Sequence, residues 1–297
     1  MSHHIFRGQG IALATPFADD GSIDTAVLGR HVDSLCNAGV DFIVALGTTA
    51  ETPTLSAEEK QLVVDTVRGH AGSVPVVVGI GGNCTANVVN EIRHTDFNGI
   101  SAILSVAPYY NKPSQRGLYG HFAAIAEACP VDVILYNVPS RTGVNVEAAT
   151  TLALAEAYPD KVVAIKEASG RLEQAETILN RRHDGFSVLS GDDSLAHSMI
   201  KMGADGVISV LGNVFPEKFG RMIYATLDGE IEDAALIHQS FSALYSLLFR
   251  DGNPSGVKAA LSCVIPGYKE NLRLPLVPVS DETRAEIADF IKSFENG

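Results

Sequence analysis

The sequence predicts an α/β fold, a closed (β/α)8 barrel with a C-terminal helical extension, and three observations carry that prediction. Short, near-continuously apolar runs recur eight times along the chain, each followed by helical periodicity, as an all-parallel sheet requires. No Gly-x-Gly-x-x-Gly fingerprint occurs, which favours a closed barrel over an open doubly wound sheet. After Phe215 the alternation ceases and only helical patterns remain.

The elements follow in order. Residues 11–17 form the first apolar run, stopped by Ala18-Asp19-Asp20-Gly21, and Val27, Leu28, His31, Val32 and Leu35 then recur at helical spacing up to Gly39. Residues 42–46 lead into the loop Gly47-Thr48-Thr49-Ala50-Glu51, after which Ser56-Ala57-Glu58-Glu59 opens a helix with capping-box spacing. The third run, 74–80, precedes an amphipathic stretch at 85–97; the fourth, 102–107, leads through Pro108-Tyr109-Tyr110-Asn111 to a helix at 117–129. The fifth, 131–136, ends in the loop 137–143, and a helix follows before the sixth, 162–165, which ends at Lys166. A helix at 171–181, a strand at 186–189, the turn Ser190-Gly191-Asp192-Asp193, a helix ending near Gly203 and an eighth strand at 206–210 complete the barrel. Residues 216–227, 230–249, 255–264 and 281–294 read as helices, the first of them closing the barrel. This divides the chain into a barrel domain, 1–227, and a C-terminal helical domain, 228–297, with no low-complexity linker between them.

Composition bounds the function. With 297 residues, 46% of them hydrophobic and 19% charged, a sizeable core forms without disulfides or a structural metal. The net charge of −13 and the lack of a basic run argue against nucleic acid and anionic membranes, and any anionic substrate must be drawn by local positive groups. Cys36, Cys84, Cys129 and Cys263 lack Cys-x-x-Cys spacing and read as free thiols. With no leader-like N-terminus and no run of membrane-spanning length, a cytoplasmic protein is expected, with His3-His4 at a frayed end.

Lys166 is the position that does not fit a purely structural reading. It ends a buried strand, where an ammonium is costly unless something uses or pairs it. Snorkelling or pairing with Glu167 is the ordinary explanation, but strand neighbours point to opposite faces. A lysine must be neutral to attack a carbonyl, and leaving water weakens an amine's hold on its proton. In a (β/α)8 barrel the chemistry lies at the C-terminal strand ends, which gathers Thr48, Thr49, Tyr110, Tyr136, Arg141, Lys166, Gly191 and the Ile208 backbone into one candidate site. Singly, the threonines explain themselves as loop caps, the tyrosines as core aromatics and Arg141 as a solvated charge. Together, an amine nucleophile, phenols to relay protons and an arginine for a carboxylate suit keto-acid chemistry. No HExxH, Walker lysine loop or dinucleotide motif supports a metal or cofactor, and Asp192-Asp193 reads as loop or helix-cap duty.

Six segments, Gly47-Thr48-Thr49-Ala50-Glu51, Pro108-Tyr109-Tyr110-Asn111, the run from Tyr136 to Gly143, Ile165-Lys166-Glu167-Ala168, Ser190-Gly191-Asp192-Asp193 and Gly206-Val207-Ile208-Ser209, resemble the dihydrodipicolinate synthase and N-acetylneuraminate lyase superfamily of class I, Schiff-base aldolases. The resemblance covers essentially the whole chain and is strongest to the branch that condenses pyruvate with L-aspartate 4-semialdehyde on the diaminopimelate route to lysine. It implies that Lys166 forms an imine with pyruvate, that Tyr136, Thr48 and Tyr110 relay protons, with Tyr110 reaching into a neighbouring subunit, and that Arg141 takes the aldehyde substrate's carboxylate. It further implies pyruvate contacts from Thr49 and Ile208, a pocket lined by Gly191, no cofactor, and a homotetramer built as a dimer of dimers. Ala50 departs from the family's usual glycine. Lysine-inhibited members carry histidines aligned with Ala57 and Lys60 and a glutamate aligned with Asn87, so weak or absent feedback inhibition is expected, although Asn83 and Tyr109 match that site. Two alternatives stay open: another pyruvate aldolase acting on a sialic or 2-keto-3-deoxy sugar acid, and a non-catalytic barrel used as a binding module.

Overall fold

In the computed structural model, which describes residues 6–295, eight parallel strands close into a barrel in the order of the chain, β1 to β8, with β1 also paired to β8. His3-His4 lies outside the described residues. The strands are β1 (Gly8–Ala12), β2 (Phe42–Ala45), β3 (Val76–Gly79), β4 (Ala102–Val106), β5 (Asp132–Asn137), β6 (Val162–Glu167), β7 (Ser187–Ser190) and β8 (Gly206–Ser209). Around them lie α1 (Thr25–Asn37), α2 (Ala57–His70), α3 (Thr85–His94), α4 (Gln115–Ala128), the single turn α5 (Pro139–Thr142), α6 (Ala148–Ala157), α7 (Leu172–Arg181), α8 (Asp193–Lys201) and α9 (Pro216–Leu227). The chain continues with α10 (Ile231–Ser240), α11 (Ser242–Arg250), α12 (Ser255–Val264) and α13 (Asp281–Glu295).

Strand alternation sorts the apolar residues into two cores. Phe42, Val44, Val77, Leu104, Ile134 and Ala164 fill the barrel interior, whereas Ile43, Ile103, Leu135, Ile165 and Val207 pack outward against the helices. Lys166 shares the inward parity of Ala164, and Glu167 the outward parity of Ile165. At the N-terminal end, the rings of Phe6 and Phe42 meet edge to face at 5.3 Å between centroids and plug the barrel.

Three sequence expectations shift. The first strand runs over Gly8–Ala12 and not over 11–17, because closure requires β1 to pair with β8 along Gly8, Gln9, Gly10 and Ile11. A Cβ on Gly206 would lie 2.0 Å from the Gly8 carbonyl oxygen, so only glycine permits this approach. The loop 137–143 contains the helical turn α5, ended by Gly143 at φ +74°. The stretch 230–249 is broken at Phe241, where the chain turns and the ring buries against Phe215, Phe219 and Phe294. As expected, Ser56 and Glu59 form a reciprocal capping box on α2, and Asp192 caps α8 by accepting from Ser194 N.

α9 packs on β1 and β8 as the barrel's last helix, and α10 to α13 follow it. The segment between α12 and α13 reaches back over the barrel. Arg273 there donates to both Glu59 carboxylate oxygens, to Gly21 O and to Thr54 O, and its guanidinium lies 4.4 Å from the Phe17 ring centroid.

Two outcomes are expected from these contacts. Gly206→Ala destabilises by about 1–3 kcal/mol or more through overpacking, and calorimetry should read this as a fall in Tm of roughly 2–4 °C per kcal/mol. An unchanged Tm would show that the two strands part without cost. The Arg273 hydrogen bonds, followed by the Ser56 N–H, hold the Glu59 carboxyl down to about 2, below its ordinary 4.5. Because the folded value is depressed, this contribution is full above pH 4.5 and is lost as pH falls towards 2. The Tm advantage of the parent over Glu59→Gln should therefore hold at neutral pH and shrink through that acid window.

Candidate active site

Lys166 occupies the C-terminal end of β6, 5% exposed, with Tyr136 of β5 as its register partner. Its Nζ lies 4.6 Å from the centroid of the Tyr136 ring. Among the described residues, no hydrogen bond or ion pair engages this amine. Gly191, at the end of β7, gives the side chain its room: a Cβ there would stand 3.1 Å from Lys166 Cγ and Cε. Ile208, from β8, is buried in the same inner cluster as Tyr136 and Leu189.

Glu167 turns the other way and is fully engaged. Its carboxylate accepts from Asn137 Nδ2 at 3.0 Å, Gln174 Nε2 at 2.9 Å and Ser169 N at 2.7 Å. The buried acid beside the lysine therefore fastens β5, β6 and α7 and leaves the amine unpaired. Parity alone separates the two charges.

A cavity of about 390 Å³ opens at the C-terminal end of the barrel, with Thr48, Tyr136 and Arg141 on its wall. Lys166 stands next to this cavity, against the face of Tyr136, and is not itself on the wall. Thr48 and Thr49 lie on a 3₁₀ turn after β2; Thr49 is buried, and its Oγ1 accepts from Asn253 Nδ2 at 3.1 Å. Arg141, exposed on α5, donates from Nη2 to the Asn253 carbonyl at 3.4 Å. Tyr110 is not brought to this cavity. It is 88% exposed, with φ +74°, on the outer surface of the β4–α4 loop.

Ala50 is not left-handed; the positive-φ residues of this loop are Leu46 at φ +55° and Glu51 at φ +56°. Glu51, Lys258 and Asn253 are the residues that sequence reasoning did not single out. The Glu51 carboxylate pairs with Lys258 Nζ, both side chains fully buried, and Lys258 also donates to Asn271 O at 2.8 Å. Burial pulls the Lys258 ammonium down to about 8 while Glu51 pushes back. Glu51 closes a quoted motif, but nothing in residues 253–258 marked them as neighbours of strand β2.

Two further features bear on expectations from the sequence. Lys60 and Glu91 share the cavity wall and pair at 3.3 Å, so an acid does stand in this region, engaged by Lys60. Asp193 accepts from Val210 N at 3.0 Å and Leu211 N at 2.7 Å, which ties α8 to the end of β8; burial raises its carboxyl to about 6. Among the described residues, no group of three or more His, Cys, Asp or Glu side chains is arranged to hold a metal ion.

The chain is similar to known proteins along nearly its whole length. The chain is 50% identical over 291 residues to the 4-hydroxy-tetrahydrodipicolinate synthase of Parabacteroides distasonis, covering 96% of each chain. The crystal structure of dihydrodipicolinate synthase from Aquifex aeolicus superposes with a TM-score of 0.93 at 38% identity over 98% of both chains. That of the Cyanidioschyzon merolae enzyme with lysine bound does so with 0.93 at 35% identity, again over 98% of both. The model of the Dihydrodipicolinate synthetase family matches residues 5–294, and the chain belongs to that family.

Proposed function

We propose that this chain condenses pyruvate with L-aspartate 4-semialdehyde as a 4-hydroxy-tetrahydrodipicolinate synthase, through an imine on Lys166. The observation that carries the reading is the Lys166 amine: buried at a strand end, unpaired, and lying against a tyrosine on the wall of the cavity. Half-identity to the Parabacteroides distasonis enzyme over nearly the full length supports it.

The chemistry follows from the groups at hand. The neutral Lys166 amine attacks the C2 carbonyl of pyruvate, and loss of water leaves an imine whose nitrogen draws electrons from the neighbouring methyl group. Loss of a methyl proton gives an enamine, and its carbon attacks the aldehyde of the second substrate, the new alkoxide taking up a proton. The substrate's own amine then adds to the imine carbon, closing the ring and releasing Lys166. Tyr136 and Thr48 serve as proton carriers that need hold no permanent charge. Arg141 offers a planar two-pronged donor to a carboxylate, at a place where the overall charge of −13 repels anions. Thr49, Gly191 and the Ile208 backbone shape the pyruvate end. Tyr110, exposed on its own subunit, completes the relay in a partner's site, which makes a dimer the smallest full catalytic unit and a dimer of dimers the expected assembly. The reaction needs no cofactor or metal, and the working compartment is the cytoplasm.

Arg141 favours this reading over a sugar-acid lyase, because an arginine at the cavity wall suits a short carboxylate-bearing aldehyde and narrows the space for a polyol. Borohydride reduction with pyruvate should add a stable adduct to Lys166, and Lys166→Ala should lose both adduct and turnover. Tyr136→Phe should keep the adduct and lower kcat by about 10²–10⁴-fold. Cleavage of N-acetylneuraminate with no turnover of the semialdehyde would reverse the assignment. No adduct in the parent would remove every aldolase reading. Separately, the Lys60–Glu91 pair and the neutral Asn87 support weak or absent inhibition by lysine. Initial rates should stay flat as lysine rises through the sub-millimolar range, and half-inhibition there would overturn this.

A further inference from the structure

The loop that carries Thr48 and Thr49 is shaped by short-range bonds, among them Thr52 Oγ1 to Gly47 O at 2.9 Å and Thr54 N to Glu51 O at 2.8 Å. It consists of two successive 3₁₀ turns, Thr48–Ala50 and Thr52–Thr54, joined at Glu51. Such turns have poorer hydrogen-bond geometry than an α-helix. Glu51 at the joint is left-handed, with φ +56° and ψ +32°, a conformation that a glutamate rarely adopts unless its surroundings impose it. These bonds are local to the loop and do not by themselves fix its place against the barrel.

What holds it comes from the far end of the chain. The Glu51 side chain is fully buried; its Oε1 meets Lys258 Nζ and its Oε2 accepts from Arg273 N at 3.0 Å. Lys258, on α12, is itself fixed by Asn271 O and by the Phe17 ring, whose centroid is 4.1 Å from Nζ. A second tether enters one residue after Thr48, where Asn253 Nδ2 donates to Thr49 Oγ1. The Asn253 carbonyl also accepts from Arg141, so one residue links the threonine turn to the arginine of α5. A buried ion pair is poorly suited to adding net stability, since desolvation offsets most of the attraction, but it does fix one geometry.

We propose that Glu51, Lys258 and Asn253 are positioning residues for the condensation: a clasp through which the C-terminal helices set the pose of Thr48 and Thr49 relative to Tyr136 and Arg141. The inference rests on the function proposed above. It separates two stages of the reaction. Imine formation depends chiefly on Lys166, on β6 and outside the clasp, at a pyruvate end that Gly191 and Ile208 shape along with Thr49. Proton relay and carbon–carbon bond formation need the threonine turn and Arg141, which the clasp holds.

The test is Glu51→Gln/Lys258→Met, which removes both charges at nearly constant volume and leaves no lone buried ion. This double variant should melt within a few degrees of the parent and trap pyruvate on Lys166 as the parent does. Its kcat should fall by about tenfold or more, since small misplacements of reacting groups carry penalties of that order, and KM for pyruvate should rise by less than that factor, because Thr49 is one of three groups at the pyruvate end. A well-folded double variant with parental kcat assigns the pair to stability alone and overturns the clasp. If the double variant does not fold, Asn253→Ala, which removes the bond to Thr49 Oγ1, carries the test: the same split between trapping and turnover supports the clasp, and unchanged kcat overturns it. The parent run alongside separates the two layers of inference. A parent that traps no pyruvate overturns the proposed function and this inference together, whereas an active parent with unimpaired variants overturns the clasp only.

Discussion

β1 joins β8 through glycines that bring the two backbones closer than any side chain allows, and this closure decides which face of every strand is inside. Once the ring is shut, alternate residues point into a space that the chain must fill, and Phe6, Phe42, Val44, Leu104 and Ile134 fill its lower part. Near the C-terminal strand ends the filling changes character. Tyr136 and Lys166 take the inward positions there, adjacent in register and touching. The parity that buries the amine also carries Glu167 to the other face, where three donors occupy it. An amine beside an acid in sequence is thus kept apart from it in space by backbone geometry, with no further device.

Most of this frame was legible in the sequence because it depends on local pattern. Apolar runs mark strands buried on both faces, and Gly39 and the Ser56–Glu59 box mark helix ends. The lysine stood out because it broke a pattern. Features set by tertiary closure were harder to see. Residues 11–17 are more apolar than Gly8-Gln9-Gly10, yet the glycines form the strand, since the requirement they meet is proximity to β8 and not burial of a side chain. Residues 230–249 have unbroken helical periodicity, and the turn at Phe241 is imposed by aromatic neighbours from α9 and α13. Asn253 and Lys258 lie some two hundred residues from the loop they touch, and no spacing rule reaches that far.

Charge shows the same division between local and global. A protein with net charge −13 that handles two carboxylate-bearing substrates has to create positive potential where it is needed. Arg141 and Lys60 stand on the cavity wall, but they are not equivalent. Lys60 is matched by Glu91 at 3.3 Å, so its field is largely spent on a neighbour. Among the described residues, Arg141 donates only to a backbone carbonyl, at 3.4 Å, and keeps its remaining donors for another acceptor. The arginine is therefore the cation better able to receive an anion, and the lysine the one better able to occupy the region where a ligand's ammonium would otherwise seek an acid.

The C-terminal helices are tied to the barrel in a way that the chain's topology conceals. By element order the barrel is complete at α9, and α10 to α13 read as an appendage. By contact they are not. Arg273 spans from the capping box of α2 to the ring of Phe17, Lys258 fills the space beneath the loop after β2, and Asn253 bridges that loop to Arg141. A (β/α)8 barrel supplies rigid strand ends but leaves its loops to be held by something else. Here the loop after β2 has its own short-range hydrogen bonds but is left-handed at Leu46 and Glu51, and, among the described residues, the groups that bond the buried Glu51 carboxylate lie beyond residue 250. The chain's element order therefore changes near residue 227, while residues bonded to one another around the loop after β2 lie on both sides of that point.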